Sequence, residues 1–417
     1  MKKIKIEGNH LLEGTINISG AKNSAVALIP ASILSDEEVQ IDNIPNISDI
    51  EALNEILTYL GATVDHKQGT MIINPTKIVN KEIPESISTK LRASYYFMAA
   101  LLGKYKKVEM YFPGGCKIGS RPIDQTLKAF ELLGAKIKEE NNKYTIVADR
   151  LIGTNIYLDM PSVGATINTI LASVKAEGKT IIENAAKEPE IVSVATFLNN
   201  MGAKITGAGT SKIKIEGVKK LSKGFTEVIP DRIEAGTYLL AGALIGKKIT
   251  LKNLIPKHIE SLTSKLIEMG IDLEIGADFI TVSQNKNLKP INIKTLVYPG
   301  FPTDLQQPLT VLLTQCNGTS ILQETIYENR FQNVPYLNEM GAKIEIDEDK
   351  IKIYGPTKLN GCEVVATDLR AGACLVLAGL VADNTTIISD VEHILRGYEN
   401  IVEKLQNVGA KIEIIEI

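Results

Sequence analysis

The segment PGGCKIGSRP, residues 113–122, brings together a thiol, two cations, three glycines and two prolines. Such a stretch predicts an exposed loop with special backbone geometry. Lys117 and Arg121, which follow Cys116, should lower the pKa of its thiol and make it reactive. A free cysteine is more often a buried structural residue, but these neighbours do not belong in a core. Residues 114–121 are also a near miss for a phosphate-binding loop. G-x-x-x-x-G is followed by Ser-Arg instead of Lys-[Ser/Thr], which argues against a nucleoside triphosphatase. Other polar residues open otherwise apolar segments: Lys22 and Asn23, Arg92, Ser162 and Thr166, Asp231 and Arg232, Asp304, Asp368 and Arg370. A lysine such as Lys22 gains nothing from burial unless it meets an anion. Asp304 and Asp368 equally suit helix N-caps or first turns, and Arg370 could simply pair with Asp368. Arg330 in YENRF and Arg396 in ILRGYE have exposed ion pairs as their plain explanation. Cys316, Cys362 and Cys374 read as inert.

The elements that position these residues recur. The phrases LGATV, LGAKI, MGAKI, MGIDL, MGAKI and VGAKI carry Gly61, Gly134, Gly202, Gly270, Gly341 and Gly409, at intervals of 68 to 73 residues. Six copies of one unit follow from that period. Each phrase should end an amphipathic helix: Leu53, Ile56, Leu57 and Leu60 fall at i, i+3, i+4, i+7, as do Val194, Phe197, Leu198 and Met201. Glycine then serves as the cap, because it takes positive φ cheaply. Alternating strands come next, and KIEIDEDKIKIYG reads as a hairpin turning near Asp347 and Asp349. A second helix per unit is apolar on most faces and should be buried. The polar residues named above sit at the starts of these buried helices, where free N–H groups and the positive dipole end attract anions. A solenoid is the competing architecture, but the period is long for one and no capping repeat is evident. Two domains of three units each fit better, with the midpoint near Asp231.

Composition narrows the functional classes. At 417 residues the chain exceeds what one core usually serves. Hydrophobic residues make up 44% and charged residues 23%, an ordinary globular profile. A net charge of −3 without like-charge blocks gives no reason to expect nucleic acid or an anionic membrane as partner. No signal-peptide pattern or membrane-length apolar run occurs, so a cytoplasmic location is expected. The four cysteines and four histidines show no ligand spacing, so neither a metal site nor a disulfide framework is expected.

Seven phrases, in order along the whole chain, carry a resemblance: GAKNSA at 20–25, PGGCKIGSRPID at 113–124, PDRIEAGT at 230–237, GFPTDLQ at 300–306, ENRF at 328–331, ATDLRAGA at 366–373 and RGYE at 396–399. Together they closely resemble the UDP-N-acetylglucosamine 1-carboxyvinyltransferase family of the EPSP synthase superfamily. The resemblance implies an α/β fold, a two-domain inside-out barrel of six βαβαββ-like units. Residues 21–229 would form one domain carrying the Cys116 loop as a lid. Residues 1–20 plus 230–417 would form the other, with the active site in the cleft between them. It implies transfer of the enolpyruvyl group of phosphoenolpyruvate to the 3-hydroxyl of UDP-N-acetylglucosamine, the first committed step of peptidoglycan precursor synthesis, without metal or cofactor. It also implies covalent inhibition by fosfomycin at Cys116.

Residue by residue, the resemblance assigns Lys22, Arg121 and Arg396 to the phosphate and carboxylate of phosphoenolpyruvate. Asn23, Arg92, Arg121, Pro122, Ile123, Asp124, Gln125, Asp304 and Ile326 would hold the nucleotide sugar, with Ser162, Val163 and Gly164 near its phosphates or uridine. Cys116 matches the general acid, and Asp304 the group that takes the proton of the attacking hydroxyl. Arg330, Asp368 and Leu369 match residues that line the closed site. Gln125-Thr126, Met160-Pro161 and Leu395 depart from the residues common in relatives. Two rival readings are the sister enzyme acting on shikimate 3-phosphate, against which the PGGC loop and GAKNSA decide because it lacks the lid cysteine, and an idle paralogue that only binds nucleotide sugar. Intact Lys22, Cys116, Asp304 and Arg396 weigh against the second.

Overall fold

The repeated glycine phrase is a helix stop built from two hydrogen bonds. The computed structural model describes residues 2–112, 114 and 123–416. In it the six repeat glycines follow the helices Ser48–Leu60, Asp124–Leu132, Pro189–Asn200, Glu260–Glu268, Val334–Glu339 and Ile401–Gln406, all with φ between +90° and +104°. The Gly61 N–H donates to the Thr58 carbonyl and the Ala62 N–H to the Leu57 carbonyl, both at 3.0 Å. The same pair of bonds recurs at the other five stops. This is the Schellman arrangement, which needs a left-handed residue at its corner and so selects glycine. The helix stripes point inward as their spacing predicts: Leu53, Ile56, Leu57 and Leu60 are fully buried.

After each stop the chain forms strands. Lys343–Asp347 and Lys350–Gly355 pair as a hairpin around Glu348, which has φ of 55°. Among the described residues there are five four-stranded sheets and one of three strands, on one plan. A parallel pair is extended by two antiparallel strands, as where Asn292–Lys294 lies parallel to Gly318–Gln323, which pairs antiparallel with Lys350–Gly355. In the three-stranded sheet a single parallel bridge, Ile83 to Met110, stands where the fourth strand would be.

A parallel pair requires a crossover, and a helix supplies it. Val163–Ser173, Thr303–Leu313 and Leu369–Val381 each join the strands of a parallel pair, and Tyr96–Tyr105 joins the Ile83 bridge to its strand, whereas the equally apolar Lys22–Ala31 and Arg232–Ile245 run between strands of different sheets. Lys22–Ala31, Tyr96–Tyr105 and Val163–Ser173 sit in one core, and Arg232–Ile245, Thr303–Leu313 and Leu369–Val381 in another. In the second core the three helices pack on one another and the sheets surround them, which is how elements apolar on every side escape water. The described chain accordingly divides into two compact units, residues 20–112 with 123–229, and residues 2–19 with 230–416.

The N-terminal strands belong with the C-terminal half. Lys2–Glu7 lies between Thr385–Ser389 and Lys411–Glu416, and Leu12–Asn17 pairs in parallel with Gly246–Lys252. Conversely Gly224–Glu227 pairs in parallel with Val39–Asp42. Ser19, where the chain leaves its first unit, is anchored by a buried polar cluster. Its N–H donates to Glu234 Oε2 at 2.7 Å, its hydroxyl donates to Glu399, and its carbonyl accepts from the Asp231 N–H at 2.8 Å. Lys404 Nζ reaches both Ser19 Oγ and Glu234 Oε1, each at 2.7 Å.

Burial pushes the Glu234 carboxyl up to about 7, against the attraction of Lys404 and with the help of Asp231. Its folded pKa thus exceeds the unfolded value of about 4.3. The stability tied to its protonated form is complete below that unfolded value and is lost as pH rises through about 7. Urea-unfolding stability should therefore drop by ~2 kcal/mol from roughly pH 5 to pH 8, and Glu234→Gln should flatten that slope.

Candidate functional site

Asp304 stands in the first turn of Thr303–Leu313, a helix whose N-cap, Pro302, offers no side-chain hydrogen bond. Its Oδ1 accepts from Arg330 Nη2 at 2.7 Å and its Oδ2 from Arg370 Nη2 at 3.1 Å. Both arginine side chains are nearly inaccessible, at 3% and 5%, whereas that of Asp304 keeps 26% of its surface open. Desolvation raises the Asp304 pKa, but the attraction of Arg370 and then Arg330 more than reverses it and holds the carboxyl well below the usual range. Each guanidinium also lies over a tyrosine ring, Arg330 over Tyr327 and Arg370 over Tyr398, at 5.3 Å in both cases.

Polar side chains behind this pair fix it. The Arg330 carbonyl accepts from Gln306 Nε2 at 3.0 Å and Gln307 Nε2 at 2.9 Å, and both glutamines are fully buried. Asp368, also buried, is the N-cap of Leu369–Val381. Its Oδ1 accepts from the Arg370 and Ala371 N–H groups, and its Oδ2 accepts from Gln307 at 3.4 Å. Arg370 therefore meets Asp368 through its backbone, and its guanidinium turns to Asp304 instead. Leu369 packs in the core, and a Cβ on Gly397 would come within 2.5 Å of its Cδ2. Arg396, half-buried, follows the short helix Glu392–Leu395. Ile326 is half-buried, and its N–H donates to the buried Glu324.

In the other unit Lys22 opens Lys22–Ala31 and does meet an anion, Asp49 Oδ2 at 2.7 Å, in the first turn of Ser48–Leu60. Asn23 beside it is half-buried. Arg92 lies near two rings, 5.6 Å from Tyr95 and 5.3 Å from Phe112. Ser162 caps Val163–Ser173, accepting from the Ala165 N–H at 3.2 Å. A Cβ on Gly164 would overlap the Tyr95 hydroxyl, so this position must be glycine for that ring to stand where it does. Val163 is half-buried and Asp124 exposed. Ile123 and Gln125 are buried, and Gln125 Oε1 accepts from the Met160 N–H at 3.3 Å. Cys116, Arg121 and Pro122 lie outside the described residues.

One further sequence expectation changes. The starts of the buried helices do not all offer free N–H groups: Asp231, Asp368 and Ser162 cap three of the six with their own oxygens. Short polar side chains at those positions reach the backbone more readily than any ligand. The residues missed were partners: Asp49, Tyr398, Gln307 and Glu324. Only Glu324 carries a readable signal, since the alternation of GTSILQET places it on the same buried face as Ser320 and Leu322. The remaining cysteines are poor nucleophiles, with burial pushing the thiols of Cys316 and Cys374 each up to about 12. Among the described residues no cluster of His, Cys, Asp and Glu could hold a metal ion, and no helix is long and apolar enough to cross a membrane.

An ionised carboxylate between two fixed guanidinium groups can grip a hydroxyl and accept its proton late, when the oxygen has become acidic. Removing it should be costly, because two buried cations would lose their shared anion. Asp304→Ala should lower unfolding stability by about 3 kcal/mol. The folded pKa of Asp304 is depressed, so this contribution is present above the unfolded value of about 3.9 and is lost only as pH falls through the lower folded value. Urea titrations should therefore give the same deficit from roughly pH 5 to pH 8.

Known proteins resemble this chain over nearly its whole length. The family model described as EPSP synthase (3-phosphoshikimate 1-carboxyvinyltransferase) matches residues 6–405. A Bacillus subtilis protein named UDP-N-acetylglucosamine 1-carboxyvinyltransferase 2 is 54% identical over 413 residues, covering 99% of this chain and 96% of that protein. A Listeria monocytogenes protein of the same name is 52% identical over 410 residues, covering 98% and 97%. The crystal structure of the enolpyruvyl transferase NikO from Streptomyces tendae superposes with a TM-score of 0.91 at 25% identity, over 99% of both chains. EPSP synthase from Acinetobacter baumannii shares the fold, with a TM-score of 0.78 at 20% identity over the whole of both chains. With a model spanning nearly all of its length and relatives more than half identical to it, the chain belongs to the EPSP synthase family.

Proposed function

We propose that this chain transfers the enolpyruvyl group of phosphoenolpyruvate to the 3-hydroxyl of UDP-N-acetylglucosamine, releasing inorganic phosphate, in the synthesis of peptidoglycan precursors. The observation that carries the reading is Asp304, held ionised by Arg330 and Arg370, in a chain 54% identical to a protein named for that activity. In the addition step an acid protonates the methylene carbon of the enol phosphate. The adjacent carbon becomes oxocarbenium-like, and the sugar hydroxyl attacks it and loses its proton to Asp304. In the elimination step the methyl group gives up a proton, the C–O bond to phosphate breaks, and the enol ether forms. Such an attack tolerates a weak base, since the hydroxyl becomes strongly acidic only once its bond to carbon is forming.

Cys116 supplies the acid in this reading, its thiol activated by Lys117 and Arg121. Lys22, Arg121 and Arg396 hold the phosphate and carboxylate of phosphoenolpyruvate, where fixed cations stabilise the departing phosphate. Asn23, Arg92, residues 121–125, Ser162, Val163, Gly164 and Ile326 hold the nucleotide sugar. The burial of Ile123 and Gln125 leaves their backbone as the natural point of contact. Lys22 would exchange or share its partner Asp49 when phosphate arrives. Both substrates are anions confined by membranes, which favours work in the cytoplasm.

Phosphate release from phosphoenolpyruvate by the purified protein tests the reaction. Release with UDP-N-acetylglucosamine, none with shikimate 3-phosphate, and a product of enolpyruvyl-adduct mass is the expected result. Release with shikimate 3-phosphate alone would move the assignment to the sister activity, and binding of the nucleotide sugar without release would make the chain a binder. Cys116→Ser should lose activity by at least ~100-fold while folding normally. Fosfomycin should add its mass once, at Cys116, and an unmodified intact mass at saturating drug and nucleotide sugar would remove that thiol from the reading.

A further inference from the structure

Glu324 follows the strand Gly318–Gln323 and is 3% exposed. Its Oε1 accepts from Thr295 Oγ1 at 2.8 Å, from the Ile326 N–H at 2.8 Å and from the Tyr327 N–H at 3.3 Å. Its Oε2 accepts from Thr303 Oγ1 at 2.7 Å. These donors are all neutral, two hydroxyls and two backbone N–H groups. Thr295 extends the clamp: its Oγ1 accepts from the Thr325 N–H at 2.9 Å, and its carbonyl accepts from Thr325 Oγ1 at 2.5 Å.

One carboxylate thus ties three segments together: the end of the strand Asn292–Lys294, the start of the helix Thr303–Leu313, and the turn at residues 325–327. Thr303 directly precedes Asp304, and Tyr327 lies against the Arg330 guanidinium. Both oxygens are used as acceptors, which an amide could not reproduce, since one side would then present N–H groups. Desolvating a carboxylate against neutral donors is expensive compared with an apolar contact. The arrangement is explained if the gain is geometric.

We infer that Glu324 is a positioning residue, whose carboxylate sets the Asp304 helix start in register with the Ile326–Tyr327 backbone. The inference rests on the transferase reading above and adds to it the group that aligns the proton acceptor with the contact to the acceptor sugar. Asp304 and Arg330 do not touch Glu324 directly; they are aligned through Thr303 and Tyr327.

The experiment pairs Thr303→Val with Thr303→Ser in the full-length protein, with Glu324→Ala alongside. Thr303→Val removes one bond to the carboxylate and leaves Asp304, both arginines and Glu324 in place. It should lower kcat about tenfold while KM for phosphoenolpyruvate stays within about twofold and Tm within a few degrees, because the acceptor is misaligned rather than lost. Thr303→Ser keeps the hydroxyl and should bring kcat back to within about twofold of wild type. Glu324→Ala should lower kcat/KM for UDP-N-acetylglucosamine at least ~100-fold. Wild-type kcat and KM in Thr303→Val, or a loss that serine does not restore, would overturn the inference; should Glu324→Ala fail to fold, the threonine pair decides. An inactive wild-type protein would instead overturn the transferase reading. In that case calorimetric titration with UDP-N-acetylglucosamine judges Glu324: unchanged affinity in Glu324→Gln would count against it.

Discussion

A helix that is apolar on every side is stable only where protein covers all of it, and that requirement organises this molecule. Four of the six apolar helices run between parallel neighbours of one sheet and two between strands of different sheets, and all of them need cover on every face. In the 230–416 region three such helices cover one another, and their sheets turn the opposite faces to water. Little room is left for polar chemistry inside a core of this kind. Carboxylates are tolerated at the helix starts, where backbone N–H groups lack partners within the helix, and Asp231, Asp304 and Asp368 all stand there.

At one of those starts a fixed charge distribution has been assembled. Asp304 and Asp368 oppose Arg330 and Arg370, so the cluster is balanced in formal charge, yet the partners are not arranged as two separate pairs. Both guanidinium groups are directed at Asp304, whereas Asp368 is consumed by backbone N–H groups and a glutamine. The consequence is a carboxylate that stays ionised and is weakly basic at rest. Such a group is unsuited to deprotonating a free alcohol, whereas it suits an alcohol already bonding to a cationic carbon. The buried amides of Gln306 and Gln307 both donate to the Arg330 carbonyl and so anchor the backbone that carries this guanidinium.

Lys22 presents the same economy in smaller form. Its ammonium is matched by Asp49, a residue from the next helix, so the positive charge can remain in a largely buried position without a ligand. A phosphorylated ligand would compete with an anion already present, and its grip reports the difference between the two interactions. The six helix stops contribute differently, holding no charge and instead setting where each hairpin begins, and hence which strand faces which helix.

Local physics was legible in the sequence because it depends on neighbours in the chain. The six glycines announced six Schellman stops, the apolar spacing announced which helix faces are buried, and the alternation announced the hairpins; each needs only residues within a few positions. The roles of Lys22 and Asp368, by contrast, came from the family resemblance of GAKNSA and ATDLRAGA, since a lysine or an aspartate at a helix start is ambiguous by itself. The pairing of Asp304 with Arg330 and Arg370 was not legible, since the partners lie 26 and 66 residues away and only packing brings them together. Arg370 illustrates the limit: nearness in sequence suggested Asp368, but the helix uses that acid for its own N–H groups and leaves the guanidinium for Asp304. The crossing of Lys2–Glu7 and Leu12–Asn17 into the sheets of the C-terminal half is likewise a tertiary outcome, visible to the sequence reading only through family resemblance. Strand alternation says which face is buried and is silent on which partner buries it, because any apolar surface of the right spacing would serve.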